Sequence, residues 1–407
     1  MLSPDQIATV KQTIPVLEAH GETLTCHFYT RMFAHNPEVK PYFNPAHQRE
    51  GAQQRALAGA ILAYARHIDD TAALAPAVEV IAHKHASLTI RPEHYPIVGE
   101  NLIASIQEVL GDAATPEIID AWEAAYAQLA TVFIGREREL YTQQRDTQGW
   151  AGFRPFTIVR RQAESENIVS LYLAPSDGRT LPAHAAGQYV TLRMTDAAGN
   201  QPMRQYSLSN APGSETYRLS IKHETGNAEQ PAGQVSPLLH TRLAEGDQVE
   251  LTPPYGTFEL ALPEDPARPV VLIGGGVGIT PLISMAHAAL AASPERRVVM
   301  IQLARHAGVR AFGEELAALT RAHANFSLHL CYDEPRADAP ADSVAGIKHG
   351  LLEAADLAAW VGDSTASYHV CGPLPMMREL DRLLAEQGVS AKNRHYECFG
   401  PSQVLAS

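Results

Sequence analysis

Cysteine is scarce in this chain: Cys26, Cys331, Cys371 and Cys398 are the only four in 407 residues, far apart and without paired spacing. That speaks against a disulfide framework or a thiolate metal site and fits a reducing compartment. Basic residues are also in short supply, with 32 Lys and Arg against 45 Asp and Glu and a formal net charge of -13. A partner held through phosphate contacts, such as nucleic acid, is therefore not expected. No basic-then-apolar leader opens the chain. Its longest stretch without a formal charge, residues 269–294, is interrupted by four glycines, Pro281 and His287. That stretch is long enough to span a membrane but reads as strand, turn and helix, so a cytoplasmic protein without a transmembrane segment is expected. A chain of this length holds two or three domains.

Ser3, Pro4 and Gln6 open the chain with a capping box and a first-turn proline. Leu17, Leu24, Phe28 and Met32 follow on a helical period until Asn36-Pro37, and further helical patterns cover about 48–68, 76–88, 95–110 and 116–141. Residues 1–141 are thus expected to be all-α. Three residues are odd for a plain bundle. Phe43 sits in a turn between Pro41 and Asn44-Pro45; Gln53 shares a face with Leu57; His85 lies on the apolar stripe of Ile81 and Leu88. Taken singly, Gln53 reads as a helix-edge residue and His85 as a satisfied core histidine. The last helix carries Trp122, Tyr126, Ala130 and Phe133, with Glu137 one turn further on, either paired or solvated beside Arg136 and Arg138.

Thr142 to Gly149 is polar and aperiodic and reads as a linker. From residue 150 to 262 the period changes to two, at 156–159, 168–173 and 217–221, with Gly- and Pro-rich turns, the pattern of a small antiparallel barrel. From residue 266 to 407, strands alternate with helices, as in a doubly wound α/β sheet with ligands at the carboxyl ends of its strands. Its first strand, Val270 to Ile273, runs into Gly274-Gly275-Gly276-Val277-Gly278-Ile279-Thr280-Pro281, where glycine lets backbone approach a phosphate and the following helix presents free amides. Thr280 stands near the place of a third fingerprint glycine, so the run is not a full Gly-x-Gly-x-x-Gly.

Arg204-Gln205-Tyr206-Ser207, the glycine run and Cys371-Gly372-Pro373 come in the order found in the ferredoxin-reductase family, which this half of the chain resembles. The resemblance implies an FAD held by Tyr189 (in Gly187-Gln188-Tyr189), by Arg204 to Ser207, and by a short helix opening at Gly233-Gln234-Val235-Ser236. Arg204 is then expected to neutralise the pyrophosphate, Tyr206 to cover the ring and Ser207 to bond its polar edge. Ala232, where the family commonly has glycine, and a long Gly226–Pro231 segment depart from the pattern. NAD(P)H is implied at Gly275 through Pro281 and at Cys371, Gly372 and Pro373. Glu397-Cys398-Phe399-Gly400-Pro401 resembles the C-terminal motif of the flavohaemoglobins, which implies Phe399 against the flavin near the nicotinamide and Glu397 between flavin and haem; a final edge strand packing its aromatic residue fits the same pattern.

Phe28-Tyr29, Phe43-Asn44, Gln53, Lys84-His85, Tyr95 and Arg136-Glu137 stand where bacterial flavohaemoglobins carry their haem-site residues, so the resemblance covers essentially the whole chain. It implies a globin with haem b on His85, with Phe43, Leu57 and Lys84 in the pocket and Glu137 accepting a hydrogen bond from the ligand imidazole. Tyr95 would complete that arrangement, or serve only as hinge packing before Pro96. Tyr29 would point its hydroxyl at the gas ligand, with Gln53 as a second donor; a buried tyrosine bonded elsewhere is the plainer alternative. Hydride from NAD(P)H to FAD, single electrons to haem, and reaction of dioxygen with nitric oxide to give nitrate are the implied activity of a monomeric dioxygenase. A gas sensor kept reduced by its own reductase is the rival, though no kinase, cyclase or DNA-binding segment is present. Hydroperoxide or nitric oxide reduction would be a side activity. Only Arg305, near the second strand's end, bears on NADH against NADPH.

Overall fold

The computed structural model describes residues 2–196, 198–226, 233, 235–334 and 343–400. The described residues form two compact units, one holding residues 2–152 with 193–204 and Gly400, the other Phe153–Leu192 with residues 205–399. Among the described residues, no helix is long and apolar enough to cross a membrane.

The first unit is helical: α1 (Pro4–Gln12), α2 (Ile14–His35), α3 (Pro45–Arg49), α4 (Ala52–Arg66), α5 (Ala75–Ser87), α6 (His94–Leu110) and α7 (Pro116–Gln148). The Ser3–Gln6 capping box forms as the sequence predicts. The single opening helix does not: α1 stops at Thr13, whose amide bonds back to Val10, because Pro15 has no N–H to continue the ladder. Nor is Thr142 to Gly149 a linker. Helix α7 runs on to Gln148 and ends at Gly149, at φ +82. Gln143, Gln144 and Gln148 are sound helix formers, and Gln144 is buried by tertiary packing that a hydropathy pattern does not register. Phe28, Tyr29, Met32, Tyr64, Ile103 and Trp122 lie in its core.

An antiparallel sheet is built from β1 (Arg154–Ala163), β2 (Ile168–Pro175), β3 (Tyr189–Arg193), β4 (Met203–Ser207), β5 (Tyr217–Lys222) and β6 (Gln248–Leu251), with α8 (Ser236–Thr241) before β6. Strand order is β4-β3-β6-β1-β2-β5, and a bridge between Leu208, just past β4, and Leu219 of β5 joins the two ends, as a barrel requires. The nucleotide-type half follows: β7 (Val270–Gly275), α9 (Ile279–Ala292), β8 (Val298–Ala304), α10 (Gly313–Ala322), β9 (Phe326–Tyr332), β10 (Gly346–His349), α11 (Ala354–Trp360), β11 (Ser367–Cys371), α12 (Leu374–Glu386) and β12 (Arg394–Glu397). Its parallel order is β10-β9-β8-β7-β11-β12. Alternate residues face opposite layers, Val270 and Leu272 toward α9 and Val271 and Ile273 toward α12, which makes these strands continuously apolar. Crossovers leave β7 in one direction and resume at β11 in the other, so the ligand crevice of such sheets lies between their carboxyl ends.

Two buried histidines tie this unit to pH. His369 Nε2 accepts the Ala261 amide at 3.0 Å, and burial, helped by His395, drops its pKa to about 3. His184, 3.3 Å from Ser284 Oγ, is pushed down to about 4 by burial. An imidazole held neutral in the fold protonates near 6.5 once unfolded, so its contribution is complete above about 6.5 and declines as pH falls toward those lower values. Melting of the second unit is expected to drop steadily below pH 6.5. His369→Gln should melt lower at pH 7.5 but with a shallower decline; a slope equal to wild type contradicts the assignment.

Candidate functional site

Helix α5 presents His85 and α7 presents Glu137 to each other. His85 Nδ1 lies 2.8 Å from Glu137 Oε1, and the Tyr95 hydroxyl on α6 donates to the same oxygen at 2.5 Å. Tyr95 is 3.3 Å from Nδ1, so three helices close one triangle. Glu137 is 2 % exposed, and its Oε2 has no partner among the described residues. Solvation beside Arg136 is thereby excluded. A carboxylate acceptor fixes the proton on Nδ1 and leaves the Nε2 lone pair for a ligand. Burial, and then the Glu137 carboxylate, raise the Tyr95 pKa, keeping it a donor. His85 also packs 5.6 Å from the Phe133 ring, and its side chain keeps 35 % exposure.

Two contacts behind this triangle escaped the sequence reading, which placed Arg136 only through the resemblance and Tyr126 only on the α7 stripe. Arg136 forks onto Glu79 of α5 (2.7 and 2.8 Å), pinning α5 to α7 beside the His85–Glu137 contact. The Tyr126 hydroxyl donates to the Tyr95 carbonyl at 2.6 Å and holds the start of α6. Both are contacts between helices, invisible to spacing along one of them.

Tyr29 on α2 is buried among Phe28, Phe43 and Phe33, with ring centroids 5.0, 5.6 and 5.8 Å away. Its hydroxyl hydrogen-bonds the Gln53 side chain on α4; burial nonetheless pushes its pKa well above the tyrosine range. Tyr29 therefore stays a protonated donor. Leu57 and Phe43 pack against the same core. Gln53 and not its neighbour Gln54 faces Tyr29, since Gln54 Nε2 donates to the Gln48 carbonyl at 3.0 Å. Lys84 Nζ donates to the Gly400 carbonyl at 2.9 Å.

On the antiparallel sheet, Arg204 to Ser207 form β4: Ser207 is buried, Arg204 and Tyr206 partly, and Gln205 exposed. Arg204 donates to Met203 O and to Asn44 Oδ1 (2.6 and 3.1 Å). Tyr189 exchanges two backbone bonds of 2.8 Å with Tyr255. Val235 and Ser236 open α8 as predicted, and Gly233 donates to the Glu224 carbonyl at 2.9 Å. Gln234 and Pro401 lie outside the described residues, as do Ala232 and residues 227–231.

The glycine run ends β7, makes a tight turn and enters α9 at Ile279, with Thr280 and Pro281 in the first turn. A Cβ at Gly278 would stand 2.2 Å from the Cys371 carbonyl oxygen and 2.8 Å from Gly372 Cα, so only glycine fits there. Val277 is partly buried beside it. The two motifs, remote in sequence, thus meet at the carboxyl ends of the adjacent strands β7 and β11. Pro373 caps α12; the Cys371 thiol is fully buried and its pKa raised by burial, so it packs instead of reacting. Glu397 pairs opposite Cys371 at the same edge, Cys398 is partly buried, and Phe399 is 45 % exposed.

Comparison with known proteins agrees with each part. Residues 26–133 match the globin family model, 155–260 the oxidoreductase FAD-binding domain and 272–382 the oxidoreductase NAD-binding domain. The fold and these matches therefore define an NAD(P)H-dependent oxidoreductase that carries a globin, with haem, FAD and a nicotinamide dinucleotide as its cofactors. A flavohemoprotein of Bordetella parapertussis is 47 % identical over 99 % of this chain and its own full length. A Malassezia yamatoensis flavohemoglobin crystallised with FAD and heme superposes with TM-score 0.84 at 28 % identity, over 98 % of this chain and 100 % of its own. The FAD/NAD-binding domain of a Vibrio cholerae nitric oxide dioxygenase gives TM-score 0.54 at 31 % identity, over 61 % of this chain and 99 % of its own. The chain belongs to the flavohaemoprotein family.

Proposed function

We propose that this protein is a cytoplasmic nitric oxide dioxygenase, converting two nitric oxide and two dioxygen molecules to two nitrates for each NAD(P)H oxidised. The observation that carries the reading is the His85–Glu137–Tyr95 triangle. A lone core histidine needs no buried carboxylate, whereas an imidazole that ligates a metal gains basicity from one. The name borne by the Vibrio relative supports the same choice.

When bound, haem supplies a gas-binding iron, FAD the conversion of a two-electron donor into single electrons, and the nicotinamide the hydride. The chain's own residues do the rest. His85 offers Nε2 to the iron, and Glu137 holds the proton at Nδ1. Tyr95 and the Arg136–Glu79 fork keep that carboxylate aimed. Across the pocket, Tyr29 stays protonated and offers its hydroxyl to a ligand that gathers negative charge, and Gln53 orients that hydroxyl. Phe43 and Leu57 supply the apolar wall that keeps water out. Arg204 and the opening of α8 would meet the FAD diphosphate, Tyr206 would cover its ring and Ser207 would bond its edge. Gly275 through Pro281 and Cys371 to Pro373 would seat the dinucleotide, and Phe399 would lie against the flavin face.

The decisive experiment adds nitric oxide to purified protein with NADH in air. Nitrate is expected to equal the nitric oxide consumed, with one NADH used for two. Nitrous oxide or nitrite as the main product in air contradicts dioxygenation.

A further inference from the structure

The strand and the helix that carry the two nucleotide motifs are joined by a polar chain unrelated to either motif. Beyond β4, Ser209 is zipped to Arg218 of β5: the Ser209 amide donates to the Arg218 carbonyl at 2.9 Å, and Arg218 Nε donates to Ser209 Oγ at 3.1 Å. Arg218 Nη2 also donates to the Ser209 carbonyl, and Tyr172 adds a further bond. On its other side, the guanidinium forks onto Glu315 of α10 at 2.6 and 3.2 Å. Glu315 Oε1 then lies 2.6 Å from His287 Nε2, on α9, the helix that starts at the glycine turn. The chain therefore runs from the end of β4 to the body of α9.

Two further features mark this contact as constrained. Arg218 is 5 % exposed and lies 4.7 Å over the ring of Phe312. Phe312 itself holds φ +59, a left-handed conformation that is costly for a bulky residue. The Glu166 amide, before β2, donates to the Gly308 carbonyl at 2.9 Å in the same region. An ion pair with one partner buried, as Arg218 is here, adds little net stability over apolar packing of the same volume, because desolvation offsets the attraction. What such a pair does supply is fixed direction.

We propose that Arg218, Glu315 and His287 are positioning residues that set the register between the flavin-holding strand and the dinucleotide-holding helix. The proposal rests on the assignment of FAD to β4 and of NAD(P)H to the glycine turn. In the step concerned, a hydride leaves the dihydronicotinamide C4 with both bonding electrons and is taken up by flavin N5, giving NAD(P)+ and reduced flavin. Its rate depends steeply on approach, and a misplacement of about 1 Å can cost roughly a hundredfold. The clasp acts on that approach through β5, α10 and α9.

The test uses the full-length, FAD-loaded protein mixed anaerobically with NADH. In Glu315→Gln and His287→Gln, FAD content and NAD+ affinity should stay near wild type. The limiting rate of flavin reduction should fall by about tenfold to a hundredfold, and the long-wavelength charge-transfer absorbance of reduced flavin stacked on NAD+ should weaken. Hydrogen exchange at the Glu166 amide should quicken, and Arg218→Lys should retain more of the rate than Arg218→Met. His287, about a quarter exposed, is the milder site and decides the matter if Glu315→Gln does not fold. A wild-type limiting rate and charge-transfer band in these variants, with only the melting temperature lowered, would overturn the proposal and leave the clasp a stability element. Ser207→Ala separates the two claims. If it keeps FAD and is reduced normally, the flavin assignment fails; if it loses FAD while Glu315→Gln behaves as wild type, only the clasp fails.

Discussion

His85→Ala should purify with its flavin and without haem. His85 is the imidazole on which the helical core converges, its Nδ1 held at 2.8 Å by Glu137, and no second histidine shares that triangle. Its removal takes away the proposed iron ligand and one donor to a buried carboxylate. The second loss alone costs about 1–3 kcal/mol of helical-unit stability. Reduction of artificial acceptors by NAD(P)H should persist, since the flavin and dinucleotide motifs rest on other cores. The check is the absorbance spectrum with flavin and haem counted per chain. A normal haem band in the variant removes His85 from the ligand role. Glu137→Gln is the gentler companion: haem should stay, and the iron–histidine stretch should fall as the imidazole loses its carboxylate partner. A stretch identical to wild type would mean that the 2.8 Å contact does not influence the ligand.

Tyr29→Phe should speed dioxygen dissociation from the reduced protein by roughly tenfold to a hundredfold. The variant removes one hydroxyl and leaves the ring packed against Phe28, Phe33 and Phe43. A hydrogen bond to a ligand that gathers negative charge is worth about 1.5–3 kcal/mol, and each 1.4 kcal/mol is about a decade in an equilibrium constant. Because burial holds the hydroxyl protonated, the effect should be flat across the neutral pH range. Carbon monoxide gathers less charge, so its dissociation should change far less. Equal acceleration of both gases would point to a wider pocket, and no change in either would put Tyr29 outside it. Flavin reduction by NAD(P)H should be untouched.

Much of this protein follows from order along the chain, because the governing interactions are local. The change from a helical to an alternating period near residue 150, the capping box at Ser3, and the apolar β7 strand running into a glycine turn are each properties of a few consecutive residues. Motif order then carries the three-part resemblance, and with it His85, Tyr29 and Arg204 to Ser207 as the residues to watch.

Where distant segments compete for one place, only the tertiary structure decided. Glu137 reads equally well as a solvated residue until α5, α6 and α7 meet and bury it on His85 and Tyr95. Gln53 and Gln54 differ by one position, and only packing of α4 on α2 turns the former to Tyr29. Polar Thr142 to Gln148 has no apolar period, yet it continues α7 as helix, with Gln144 buried by tertiary packing. The Arg218–Glu315–His287 chain gathers residues from β5, α10 and α9, so no spacing foretells it. Sequence alone settled the order helical, antiparallel, alternating along the chain, but not where α1 and α7 end. Which buried charges find partners was settled by three-dimensional packing, because desolvating a charge is tolerated only where the fold brings its partner within hydrogen-bond reach.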